Sequence, residues 1–322
     1  MRTYIIRRLF LIIPTLLIVT VIVFFLVRFI PGDVVSLMVD QMSAEGESMG
    51  IQGMTAQKLT HLLGLDVPIH IQYVRWLGNA FRGDLGVSLW RDYPITEELG
   101  RRLPVSFELG ILALIIKLLI SIPIGVWSAI RQDTTSDYIG RTIAIIFISV
   151  PSFWVATLVI VYPSIWWNVV PPLKYIPFAE DPIANLRQFI VPAIIMGMLA
   201  TGTVMRMTRT MMLEVLRQDY IRTAWSKGLS EWMVITRHAL KNALIPVITV
   251  IGISLPTLIS GSVILEEIFV LPGIGRLLIE AVNQRDYPVI SAINLIIALF
   301  ILVINLLVDI TYAYLDPRIH YR

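Results

Sequence analysis

The chain has no cysteine, no Gly-Lys dipeptide and little charge: of 322 residues, 15% are Asp, Glu, Lys or Arg, against 56% hydrophobic. Without cysteine there are no disulfides and no thiolate metal sites. A phosphate loop needs Gly-Lys followed by Ser or Thr, so the chain does not hydrolyse ATP on its own. HExxH, GxSxG and paired-carboxylate helices are also missing, and the histidines, His61, His70, His238 and His320, are scattered. Mean hydropathy is +0.77. A soluble domain has too few interior positions for so much apolar side chain, so the natural solvent is lipid. The net charge of +3 then reflects Lys and Arg held on the cytoplasmic side and does not call for nucleic acid.

A bilayer core needs about 20 apolar residues per helix. Stretches near Leu9–Ile30, Leu109–Ile130, Ile143–Tyr162, Phe189–Met205, Ala243–Leu265 and Val289–Val308 qualify as six spans. The first follows a charged start, MRTYIIRRLF, but is too long for a signal h-region and ends in RFIPGD with no small-residue cleavage site, so a retained span is expected. Prolines 14, 123, 151, 192, 246 and 256 fall within spans, which neighbouring helices make tolerable and which suggests bending.

Charge sets the orientation. With the N-terminus inside, the cytoplasmic side holds Arg2, Arg7, Arg8, Arg131 and Arg141. It also takes Arg206, Arg209, Arg217, Arg222, Lys227, Arg237, Lys241, Arg318 and Arg322. The short outside loops hold only Lys174, Arg187, Arg276 and Arg285. This asymmetry places both termini inside. Residues 1–30 are then the cytoplasmic N-terminus and first span, 31–104 an extracytoplasmic insertion, 105–315 the core transmembrane domain, and 316–322 a cytoplasmic tail. The insertion carries nine acids and six bases. Its middle is rich in Gly, Ser and Met, whereas HLLGLDVPIHIQYVRWLGNAF has apolar residues at helical spacing.

Two charges fall at membrane depth. Arg28 sits near the outer end of the first span and can snorkel. Lys117 lies about nine residues into the second, where a lysine costs roughly 2.5–3.5 kcal/mol on insertion scales; it is a candidate pathway residue, with snorkelling or pairing with a neighbouring subunit as the alternatives. The spans contain no central Asp or Glu, Glu108 and Asp309 lying at their ends. That pattern argues against the rival class, a self-contained secondary transporter with ion-coupling acids.

Positive charge concentrates in RTAWSKGLSEWMVITRHALKNALIP, residues 222–246, with Glu231 as its single acid. The surrounding loop, about 211–242, reads as two helices. Met211 to Lys227 puts Leu213, Leu216, Tyr220 and Ala224 on one face. Gly228 ends that helix behind a cation. Ser230 caps a second, with Glu231 in its first turn and Trp232, Ile235 and Leu240 at helical spacing. Apolar knobs with basic rims make a docking surface, and a basic anchor lying against anionic lipid is the alternative on these residues alone.

Here the sequence resembles binding-protein-dependent ABC importer permeases. Their cytoplasmic signature is E-A-A, three residues, Gly, nine residues, I-x-L-P. Aligned on Gly228, the E-A-A positions fall on Arg222, Thr223 and Ala224, and I-x-L-P on His238, Ala239, Leu240 and Lys241. Arg replaces Glu and Lys replaces Pro. The dipeptide/oligopeptide/nickel branch is closer. It resembles this chain at RRLxxxIPT (Arg7–Thr15), RxIPGD (Arg28–Asp33), GDLGxS (Gly83–Ser88) and RTAxxKGLSExxVxxRHALxNALIPVxT (Arg222–Thr249). LPGIGRLL (Leu271–Leu278), RDYPV (Arg285–Val289) and LDPRI (Leu315–Ile319) continue the match in order.

The resemblance implies an all-α membrane protein with the type I ABC importer transmembrane fold. The elbow would be a coupling helix seated in an ATPase subunit, with Arg222, Thr223, Ala224, Lys227, Gly228, Leu229, Trp232 and His238 as its contact and hinge set. It also implies a second homologous permease, two ATPase subunits that use ATP and Mg, and an extracytoplasmic substrate-binding protein. That protein is expected to dock on 31–104 and on Leu271, Pro272, Gly273, Gly275 and Arg276, which together read as a tight turn entering a short helix. The chain itself would be a non-catalytic, multi-pass subunit of a prokaryotic inner membrane with no cofactor of its own. Short peptides are the expected cargo, with oligosaccharide, glutathione and nickel-chelate as alternatives within the branch.

Overall fold

A computed structural model describes residues 2–28, 60, 66–91, 93–169, 172 and 174–315. The central part of the 31–104 insertion, the RxIPGD motif beyond Arg28, His61, His320 and the tail 316–322 lie outside the described residues, as does the side chain of Arg28. The helices are α1 (Arg2–Arg28), α2 (Ile69–Phe81), α3 (Ile95–Ile130), α4 (Thr135–Ser149), α5 (Ser152–Trp167), α6 (Pro182–Leu199), α7 (Thr201–Leu216) and α8 (Asp219–Ser226). After a short turn, Glu231–Met233, come a π-helical segment, Val234–Leu240, and α9 (Lys241–Ile268), α10 (Ile274–Gln284) and α11 (Tyr287–Leu315).

Among the described residues, four helical stretches are long and apolar enough to cross a membrane: Ile95–Ile130, Pro182–Leu199, Glu231–Pro256 and Tyr287–Val308. The third expected span is not straight. It divides into α4 and α5, bent by 92°. Pro151 has no N–H to donate, and Val150 before it is held extended at φ −88°, ψ 126°. The fourth also differs from expectation. It is α6, ending at Leu199 rather than Met205, and a new helix starts at Thr201. Its start is written locally: Asp181 Oδ1 accepts from the N–H groups of Ile183 (3.0 Å) and Ala184 (3.1 Å), and Pro182 occupies the first helical position.

The chain forms two compact units. The first comprises residues 1–8, 103–276 and 300–322. Its core joins Val105, Leu109 and Ala113 of α3, Ala156 of α5, Phe189 and Ala193 of α6, and Leu265 of α9. The second comprises residues 9–102 and 277–299. There α2 packs on α1 through Tyr73 and Phe24, with ring centroids 5.2 Å apart, and through a 2.9 Å hydrogen bond between the Thr20 and Tyr73 hydroxyls. Large apolar side chains are left outside, Leu119 at 68% and Ile165 at 67% exposed. An apolar exterior fits lipid contact.

Small residues bring helices of the first unit to backbone contact. A Cβ on Gly202 of α7 would lie 2.5 Å from the Ala144 carbonyl oxygen of α4, and one on Gly197 of α6 would lie 2.7 Å from that of Ala113 on α3. Neither carbonyl can retreat without moving its helix. Gly202→Ala is therefore expected to destabilise the chain by about 1–3 kcal/mol, read as a lower Tm in detergent. An unchanged Tm would show that α4 and α7 are not in contact.

Candidate functional site

The elbow is built of two short helical pieces around a left-handed glycine. The expected helix from Met211 to Lys227 is in fact broken: α7 stops at Leu216 and α8 begins at Asp219. Gly228 lies at φ +76°. Its N–H donates to the Trp225 carbonyl (2.9 Å) and that of Leu229 to the Ala224 carbonyl (3.4 Å). This paired pattern closes a helix through a left-handed residue, a conformation glycine adopts without strain. Ser230 precedes the next turn as expected, but its side chain makes no capping hydrogen bond.

One side of the elbow is a small core. Ile221 and Ala224 of α8 are buried with Met212 of α7, Val234, Ile235 and Ala239 of the π segment, Ala243 of α9 and Ala129 of α3; Leu229 packs against them. The opposite side is exposed. Trp232 stands 76% accessible, with Tyr220, Trp225 and Met233 also exposed and Arg222, Thr223, Lys227, Gly228 and Arg237 among them. His238 is half-buried, and its carbonyl accepts from Asn242 Nδ2 at 3.1 Å. Two of the residues expected in the contact set thus turn inward. Ala224 is buried and Leu229 caps its own helix, so both support the surface from beneath, and Trp225, Tyr220 and Met233 take their place outside.

Behind the elbow lies a polar clamp that sequence reasoning missed. Asp137 of α4 is fully buried. Arg209 of α7 meets it with two donors, Nε to Oδ1 at 2.8 Å and Nη2 to Oδ2 at 2.7 Å. Ser128 Oγ of α3 and the Asp133 N–H also donate to it. A fork-to-carboxylate pair with further donors fixes orientation as well as distance. Three helices are therefore pinned within two turns of the place where α7 enters the elbow.

The LPGIGR turn is largely buried. Leu271, Gly273 and Gly275 are buried, and only Pro272 and Arg276 are partly accessible. The loop wraps the carboxylate of Glu266, which is 0% exposed. Ser106 and Ser262 hydroxyls donate to Oε1, each at 2.7 Å, and the N–H groups of Gly275 (2.8 Å) and Arg276 (3.2 Å) donate to Oε2. The carboxylate thus caps the first turn of α10. A Cβ on Gly273 would fall 2.2 Å from Oε2. Val270, a β-branched residue, is held at φ 58°, a costly conformation kept by the contacts around it. The sequence does hold a signal: Ser262 and Glu266 stand one helical turn apart at the end of a span.

Lys117 does not snorkel. It is 1% exposed, and its ammonium donates to Ser254 Oγ of α9. No group of His, Asp or Glu able to hold a metal occurs among the described residues.

Residues 121–321 match the family described as binding-protein-dependent transport system inner membrane component, and residues 1–110 match its N-terminal companion. The dipeptide transport system permease protein DppB of Escherichia coli (strain K12) is 37% identical over 345 residues, covering 100% of both chains. The oligopeptide transport system permease protein AppB of Bacillus subtilis (strain 168) is 38% identical over 324 residues, again covering 100% of both. Among solved structures, the inward-facing MetNI methionine ABC transporter aligns with TM-score 0.54 at 15% identity, over 68% of this chain and 96% of that one. That likeness is one of fold.

The clamp is directly testable. Asp137→Ala leaves the part-buried Arg209 and the Ser128 hydroxyl without their carboxylate and is expected to cost about 2–4 kcal/mol, below the full cost of breaking a wholly buried pair. The double replacement Asp137→Leu with Arg209→Met should recover most of the lost Tm. A single variant that melts with the wild type would remove the clamp from the structure.

Proposed function

This chain belongs to the binding-protein-dependent transport system inner membrane components, and from that premise we propose that it is the permease subunit of an ATP-driven importer whose elbow receives the ATPase. It is a multi-pass protein of a bacterial inner membrane. The cargo we infer is short peptides, supported by the names of full-length relatives 37–38% identical. Oligosaccharide, glutathione and nickel-chelate are the alternatives within the same machinery.

The architecture we propose has six membrane helices, both termini in the cytoplasm, and residues 31–104 outside, before a core of 105–315. A second homologous permease completes the pathway, two ATPase subunits use ATP and Mg, and a binding protein delivers substrate. With Leu271, Gly273 and Gly275 buried, the binding protein's footprint is assigned to 31–104 and to the outward Val282 and Asn283 of α10.

The observation that carries the coupling assignment is the two-sidedness of the elbow. Its inner face is glued to α7, α9 and α3 by apolar packing, and its outer face presents Trp232, Trp225, Tyr220 and Met233 among Arg222, Lys227 and Arg237. Aromatic anchors rimmed by cations suit a cleft on a partner protein. A push on that face passes into the attached helices as rigid-body motion. The chain contributes no catalysis; hydrolysis belongs to the partner.

Two measurements test this. Trp232→Ala should weaken ATPase-subunit binding about tenfold or more, in line with the loss of an aromatic hot spot, and lower ATP-driven uptake with it. Gly228→Val forces a β-branched residue to φ +76°, where nothing crowds the site, so folding should survive while ATP hydrolysis uncouples from uptake. Normal uptake by both variants would refute the coupling role. The absence of native cysteine also makes topology easy to read: Ser226→Cys should react with a membrane-impermeant maleimide only in permeabilised cells. Substrate accumulation by the chain alone in proteoliposomes would favour a secondary transporter.

A further inference from the structure

Lys117 is a charge placed where nothing among the described residues balances it. Its side chain is 1% exposed, inside the first unit and away from that unit's surface. A counter-ion on a neighbouring subunit or a lipid headgroup therefore cannot reach it in this conformation. Its one hydrogen-bond partner among the described residues is the Ser254 hydroxyl, where an ammonium has three donors to place. One helical turn further along α3, on the same face, Ser121 is also fully buried, and its hydroxyl has no hydrogen-bond partner. A cation and an unsatisfied hydroxyl thus line one seam of α3, with Ser254 of α9 across from the cation.

The helices forming this seam are both weakened nearby. Pro123 lies two residues beyond Ser121, and Pro256 two residues beyond Ser254. Each proline removes an N–H from its helix ladder, and such positions are where membrane helices bend. Ser254 Oγ already donates to the Ile251 carbonyl at 2.7 Å, so the groups short of a partner are the ammonium and the Ser121 hydroxyl, and a carboxylate would pair with the first and accept from the second at once.

We propose that Lys117, with Ser121, forms a transient site for the carboxylate of the transported substrate, reached when the α3–α9 seam parts during transport and the ammonium leaves Ser254. This rests on the reading of the chain as a permease and deepens it by naming the chemical group the pathway recognises. Intramembrane lysines otherwise detract from stability. Removing this charge should therefore stabilise the protein and damage transport together, a combination that a purely structural lysine does not produce.

The experiment uses the complete importer, with its partner permease, ATPase subunits and binding protein, in proteoliposomes with trialanine as probe. Lys117→Met and Lys117→Gln should each lower the number of trialanine molecules imported per ATP hydrolysed about tenfold and raise the Tm of the complex. Lys117→Arg, which keeps the charge, should stay closer to wild type. A per-ATP yield within twofold of wild type for either neutral variant would overturn the proposal. So would a lower Tm, which would make Lys117 a structural residue. Failure of the wild-type importer to take up trialanine would instead count against the peptide reading itself.

Discussion

The burial of Ile221 and Ala224 against Met212, Val234, Ile235 and Ala239 is the contact on which the exposed face of the elbow depends. An eight-residue helix has no stability of its own in water, because nucleation costs more than so few hydrogen bonds return. α8 therefore exists only as long as it is packed on α7 and on the π segment leading into α9. The consequence is mechanical. A surface that cannot persist apart from its base cannot move apart from it, so displacement of Trp232 and its neighbours displaces the helices beneath. The Asp137–Arg209 fork extends that rigidity from α7 to α4, and Ser128 brings in α3.

Much of this was legible in the sequence where one residue type forces one outcome. Apolar runs of about 20 residues mark helices because the bilayer sets their length, and Gly228 behind Lys227 marks a left-handed helix end. The places where reading failed are those set by partners distant in the chain. Ala200 carries no breaker signal, yet a helix ends there. Pro151 announces a disturbance but not a 92° bend, since the angle depends on what each half packs against. The π-helical turn Val234–Leu240 likewise has no mark that separates it from an α-helix.

Site residues follow the same division. The elbow is contiguous in sequence, so its cations and aromatics could be seen together. Which of them face outward could not, because a one-face pattern drawn from Met211 to Lys227 assumes a continuous helix, and the break before Asp219 rotates Tyr220 out and Ile221 in. Asp137 and Arg209 are 72 residues apart and Ser106 and Glu266 are 160 apart, so no local pattern could join them. The LPGIGR motif was visible as a turn. Its glycines let the loop close on the Glu266 carboxylate.

Among the described residues of the first unit, Asp137, Glu266 and Lys117 are buried charges with contrasting surroundings. Asp137 is balanced by a guanidinium fork and further donors. Glu266 accepts from four donors at the first turn of α10, the positive end of that helix. Both are complete as they stand, and a completed polar network stiffens what it joins. Lys117 is the incomplete one: a single hydroxyl answers its ammonium, and the next hydroxyl along its helix is unanswered. A rigid part of a transporter should have its polar groups satisfied in every state, whereas a group that binds cargo must be short of a partner whenever cargo is absent. On that criterion the satisfied Asp137 and Glu266 fit a frame, and the shortfall at Lys117 is what motivates its proposed place on the path of the cargo.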